Sequence, residues 1–260
     1  MQVVPRFARF TSVVFPVEGT VIVPNVRASF GRAEASFVVW LLTRGSEQEC
    51  TRAEERLREE GFDAILDDPR TLNALLAHGG FSSASEPLVF YVLVRHALLE
   101  GNIGDRVIAD YLAALLINFG RGRRAYRLSD DEFPEYFYLV DLQDAAENAS
   151  GYRQFLLRAH LGEYALWLSG LFPDHIAARV QRRGAPGLGY YQELGVHGYR
   201  GAADHRDAER NGLERVYRAC ANTFPALRVA LNRISDRHLF PQRGDPTDRL
   251  LRQVSDTIWN

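Results

Sequence analysis

The 260-residue sequence has no lysine, so all 31 of its basic residues are arginine. That absence removes two chemistries. A Schiff-base enzyme needs an amine nucleophile and a P-loop needs its phosphate-binding lysine, and an arginine that stays protonated supplies neither. Sulfur is almost as scarce, with one methionine and two cysteines, Cys50 and Cys220. The cysteines stand far apart and outside any Cys-x-x-Cys spacing, so neither a disulfide framework nor a thiolate zinc site is indicated and a reducing interior is the simpler setting.

Long apolar runs are missing as well. No stretch approaches the ~20 uncharged residues of a membrane span, and residues 1–24, which carry Arg6 and Arg9, hold no apolar run of signal-peptide length. The expected location is therefore cytoplasmic, and Asn148-Ala149-Ser150 is read as a chance match to a glycosylation acceptor. Excess charge is lacking too: the net charge is -2 and the isoelectric point about 6.4. Nothing in the bulk charge attracts nucleic acid. Two local basic clusters stand out, Arg121, Arg123, Arg124 and Arg127 with Tyr126, and Arg179, Arg182 and Arg183. Without a recognition motif they leave nucleic acid outside the expected partners. No His-Glu-x-x-His, Gly-x-Ser-x-Gly or EF-hand pattern occurs.

What is present is helix. From residue 68 onward the chain reads as helices joined by short loops: Asp68-Pro69 opens one as N-cap and first-turn proline, and Ser85-Glu86-Pro87 opens the next, which runs to Glu100. Others are expected over 105–119, 134–149, 152–172, 173–183, 190–210, 213–237 and, after a proline-containing tail, 249–259. The Gly120-Arg121-Gly122-Arg123-Arg124 segment reads as a joint between two halves. Ahead of residue 68 the signals mix. Residues 1–31 suggest short strands or an extended arm. Ser36 to Thr43 fits a buried strand or a helix stopped by Gly45, followed by a helix over 46–60 and a strand at Phe62 to Leu66. The expected fold is mainly α, a multi-helix bundle with a small extended or β-containing N-terminal segment. Its parts are residues 1–80, the bundle 81–240 and a tail 241–260.

Two helices are too apolar to lie anywhere but inside. Projection at 100° per residue leaves residues 87–100 apolar on every side, and 152–172 nearly so. Each carries a histidine and a carboxylate on one face, His96 with Glu100 and His160 with Glu163. Paired histidine and carboxylate ligands within a bundle build di-iron and di-manganese sites, so these four residues are candidate ligands for a non-haem metal. Against this, the order His-x-x-Glu at 160–163 reverses the ferritin-type motif, and buried histidines commonly bond a carbonyl.

The second unusual stretch is Gly184-Ala-Pro-Gly-Leu-Gly-Tyr-Tyr191, a loop entering a helix with two tyrosines at its start. Within that helix Gly195, Gly198 and Gly201 recur every third residue, each costing ~1 kcal/mol relative to alanine. Close packing of another helix, or of a flat ligand, is the expected compensation. Tyr190, Tyr191 and Gly198 are the candidate binding residues. Glu193, His197, Arg200 and Asp204 form a polar stripe read as the solvated side.

The segments Phe90-Tyr-Val-Leu-Val-Arg-His-Ala-Leu-Leu-Glu100 and Gly184-Ala-Pro-Gly-Leu-Gly-Tyr-Tyr-Gln-Glu-Leu-Gly195 resemble stretches of a group of uncharacterised bacterial helical proteins. The likeness covers about residues 85–240 and implies a bacterial origin but no activity. The sequence thus points to a ligand- or protein-binding helical protein, with a protein or small molecule as partner and an oligomer compatible with it. The alternative is a metal-dependent oxidoreductase with its site in the bundle core.

Overall fold

The computed structural model describes residues 21–44, 46–120, 124–128 and 135–241, with the side chains of Glu47 and Arg124 left out. The expected N-terminal arm up to residue 20 and the helix at 249–259 lie outside the described residues. Those described are helical and contain no strand. In chain order they form α1 (Arg32–Thr43), α2 (Glu47–Glu60), α3 (Phe62–Leu66), α4 (Pro69–Ala77), α5 (Glu86–Glu100), α6 (Arg106–Gly120) and α7 (Leu139–Asn148). Then follow α8 (Gly151–Leu171), α9 (Pro173–Arg183), α10 (Leu188–Ala203), α11 (Arg206–Arg210), α12 (Glu214–Asn222) and α13 (Phe224–Ile234). None is long and apolar enough to cross a membrane.

The chain divides into two compact units, residues 24–117 and residues 118 onward, the latter including residues 21–23. The division falls beside the glycine-arginine segment read as a joint, whereas residue 80 lies within the first unit.

In the first unit the expected strand at Phe62 to Leu66 is a helix, and of the two readings of Ser36 to Thr43 the helix is the one found. The run from Ser36 belongs to α1, which begins earlier because Glu34 reaches back to the Gly31 N–H at 2.9 Å, a capping interaction absent from a reading that starts at Ser36. Phe62 to Leu66 is the single turn α3, set off from α2 by Gly61 at φ 82°. A five-residue apolar run suits a buried strand or a buried helical turn equally, and the caps decide between them. Asp68 caps α4 as expected, accepting from Arg70 N at 2.9 Å. α5 is buried at every residue from Pro87 to Leu98.

Buried polar groups in this unit are paired. Arg95, 4% exposed, donates through Nε and Nη2 to the two carboxylate oxygens of Asp67 at 2.6 and 3.0 Å, and Arg106 reaches the same carboxylate at 2.7 Å. Burial alone would raise the Asp67 carboxyl, but the two guanidinium groups hold it below its ordinary range. Asp68 is also held well below that range, chiefly by its hydrogen bond from the Arg70 side chain, with Arg56 adding to it.

The second unit is built around α8, against which α7, α10 and α13 pack. Glycines set the approach. A Cβ on Gly198 would meet Gly162 N at 2.6 Å and Arg158 O at 2.8 Å, both backbone atoms of α8. One on Gly195 would strike the Phe224 ring, and one on Gly162 would lie 2.7 Å from the Tyr199 ring. Gly198 thus lets α10 lie almost backbone-to-backbone on α8, while Gly195 and Gly162 let the Phe224 and Tyr199 rings seat without a clash. Cohesion from that contact offsets the low helix propensity. At the far end Asn232 donates to the Ser169 and Gly170 carbonyls at 2.9 and 2.6 Å, and Ser235 to that of Leu171 at 2.7 Å, satisfying the last turn of α8.

Two long helices expected from sequence are each broken. The 190–210 stretch ends at Ala203 and resumes as α11 after His205, whose Nδ1 accepts from Asp207 N. The 213–237 stretch divides at Thr223, since Pro225 sits in the first turn of a new helix rather than inside an old one. The expected helix at 134–149 starts only at Leu139.

Candidate functional site

The four candidate metal ligands fall two to a unit. His96 is 6% exposed, and its Nε2 lies 2.9 Å from the Leu66 carbonyl. A carbonyl only accepts, so that nitrogen carries the proton and has no lone pair for a metal. Burial pushes the His96 pKa down more than the Leu66 carbonyl and the nearby Asp67 push it up. Glu100 lies at the exposed end of α5. In the second unit His160 is 2% exposed and donates by the same logic from Nε2 to Ala125 O at 3.1 Å, while its Nδ1 is 3.9 Å from Glu163, itself buried. The structure therefore brings His160 and Glu163 together. Among the described residues, however, no group of three or more His, Cys, Asp or Glu side chains is placed to hold a metal ion.

His160 sits instead in a layer of rings. Phe119 lies 5.4 Å away, Tyr164 is stacked at 6.1 Å, and Trp167 continues the row between Tyr164 and an edge-on Phe172 at 4.8 Å. The buried Trp167 indole N–H has no hydrogen-bond partner among the described residues. This layer is core, and it leads outward to a surface.

The path runs through Tyr164, whose hydroxyl donates to Phe137 O at 3.3 Å and whose ring meets Tyr126 edge-on at 5.9 Å; Tyr126 in turn lies against Phe137 at 5.0 Å. Phe137, Tyr138 and Val140 are among the most exposed large apolar residues of the unit, Tyr138 at 54%. Above the Tyr138 ring, 5.8 Å from its centre, sits the Arg179 guanidinium of α9. Arg179 is half-buried, and among the described residues its guanidinium makes no ion pair or hydrogen bond. Its charge is felt at the Tyr191 and Tyr164 hydroxyls, although burial pushes both phenols upward.

The candidate tyrosines of α10 belong to this surface. Tyr190 and Tyr191 meet edge-to-face at 6.0 Å, Tyr191 buried and close to Arg179, Tyr190 half-buried with Asp144 and Asp141 of α7 near enough to raise its pKa beyond the effect of burial. Gly198, the third candidate, is buried against α8 and open to no ligand in this arrangement. Sequence reasoning therefore found two tyrosines and the arginine cluster of α9 separately, and missed Tyr138. The pairing of Tyr138 with Arg179 spans 41 residues and leaves no local signal.

The chain matches no protein-family model, no curated protein and no solved structure.

Proposed function

We propose that this is a helical interaction protein and that the surface formed by Tyr138, Arg179, Tyr190 and Tyr191 receives its partner. The observation that carries the reading is Arg179. A half-buried guanidinium has lost much of its water, and in a finished core it takes a carboxylate, as Arg95 does. Arg179 has only a ring face and nearby phenols, so an incoming carboxylate or phosphate group would complete it with charge-assisted hydrogen bonds. Exposed aromatic and apolar residues beside the arginine match the composition of binding hot spots, which are rich in Tyr and Arg. The expected cytoplasmic setting and the likeness to a bacterial group belong to this same proposal.

The metal-dependent oxidoreductase is the weaker reading, because among the described residues no three candidate ligand side chains come together. The binding reading is tested by placing a photocrosslinking amino acid at Tyr190 and irradiating living cells. A discrete adduct that is lost in Arg179→Glu supports it. Adduct formation indifferent to Arg179→Glu, or none at all, contradicts it.

A further inference from the structure

A cavity lies in the first unit, at the seam of α1 and α2. None of the described side chains of α2 is buried; only Cys50, Ala53, Arg56 and Leu57 are half-covered. A helix held by so little apolar surface does not close on its neighbour. A cavity of about 320 Å³ remains, lined chiefly by Val39, Trp40, Thr43, Cys50, Glu54 and Leu57. That is the lower end of the range for small-molecule pockets, and like them it is apolar with a few polar groups.

Two of the lining groups give it chemistry. Trp40 is 47% exposed, with Phe37 stacked near it at 6.2 Å and His78 edge-on at 4.9 Å. Among the described residues, Glu54 is the only charged one in the lining. Among the described residues its carboxylate meets the Cys50 thiol at 3.8 Å and no arginine. The surrounding helix is acidic as well, with six glutamates to three arginines, and one of those arginines, Arg56, is engaged by Asp68 and Glu60. The neighbouring hollow of about 350 Å³, which Trp40 also lines, carries Arg44 and His78 in place of a carboxylate.

An indole face with an unpaired carboxylate in an apolar cavity is the combination that recognises an organic cation. We infer that the α1–α2 cavity binds an organic ammonium group, its alkyl part against Val39 and Leu57 and its charge shared between Trp40 and Glu54. The site is independent of the Arg179 surface and selects the opposite charge.

Cys50 provides the reporter. It lines the cavity half-covered, whereas Cys220 is fully buried, so iodoacetamide at about pH 8.5, near the ordinary thiol pKa, should label Cys50 and spare Cys220. Choline is the probe and 3,3-dimethylbutanol its uncharged isostere, at matched ionic strength with labelling followed by mass spectrometry. Choline is expected to half-protect Cys50 at a concentration roughly tenfold below that of the alcohol, and Glu54→Gln or Trp40→Leu to abolish the difference. An unlabelled Cys220 in each variant shows that its fold is retained. Equal protection by the alcohol, no protection by choline, or protection that survives Glu54→Gln overturns the inference.

Discussion

The crossing of α8 with α10 and the seam of α1 with α2 are both helix pairs, and they close in opposite ways. At the crossing, Gly162 and Gly198 remove the side chains, and backbone meets backbone. At the seam, α2 offers charged residues and a few short apolar ones, and a cavity stays open beneath Trp40. The glycine repeat, which is the more conspicuous sequence feature, has no room for a ligand. The unremarkable charged helix leaves that room. Packing in this chain is incomplete at the α1–α2 cavity and at the unpaired Arg179, where the two proposed sites lie, and not where small residues gather.

The comparison can be broken by substitutions of graded severity. Gly198→Ala should have the largest effect, a loss of about 3 kcal/mol in denaturant unfolding, because the added methyl meets backbone atoms that cannot rotate away. A loss below about 1 kcal/mol would mean the helices separate readily and the crossing is not closed. Next comes Arg95→Ala, expected to cost about 2 kcal/mol by leaving Asp67 with only the more exposed Arg106. A neutral outcome in the same assay would show that Arg106 suffices.

Acid sharpens the contrast within the first unit. Asp67 and Asp68 have folded pKa values below the unfolded value of about 3.9, so their contribution is present above that pH and lost as pH falls through the lower folded values. His96 has a lowered folded pKa, so the unfolded chain takes up a proton first, and stability begins to fall below about pH 6.5. Asp68→Asn should therefore cost about 1 kcal/mol at pH 7 and clearly less at pH 2, where part of the contribution is already lost, read from unfolding midpoints. An equal cost at both would remove the charge from the explanation. The smallest effect belongs to Gly201→Ala. Its methyl meets only the movable Arg158 side chain at 3.0 Å, and the gain in helix propensity of up to ~1 kcal/mol should leave stability unchanged or slightly raised. A thermal midpoint several degrees lower would show that this glycine, too, sits in the closed crossing.

Much of this was legible in the residues. All-round apolarity marked α5 and the greater part of α8 as core, Asp68-Pro69 marked the start of α4, and the glycine spacing predicted close helix packing, which the α8 contact supplies. The failures have a common cause. The short apolar runs at Ser36, left open between strand and helix, and at Phe62, read as a strand, are decided by caps at Gly31 and Gly61, and the helix read continuously over 213–237 passes through Pro225, which instead opens α13. The partners of buried groups were illegible for a different reason. Leu66 and Ala125 answer His96 and His160 with backbone carbonyls, which every residue possesses and no sequence pattern marks. Tyr138 and Trp40 were missed because exposure depends on what fails to cover a side chain.

Native-state hydrogen exchange tests the closed crossing against the open seam in a single experiment. Amides of α8 and α10 around Gly162 and Gly198 should exchange only by global unfolding of their unit, with a denaturant dependence equal to that of unfolding. Those of α2 should exchange by local opening, at least a hundredfold faster and with little denaturant dependence. Protection of α2 equal to that of α10 would show that the seam is as closed as the crossing, and would contradict the account.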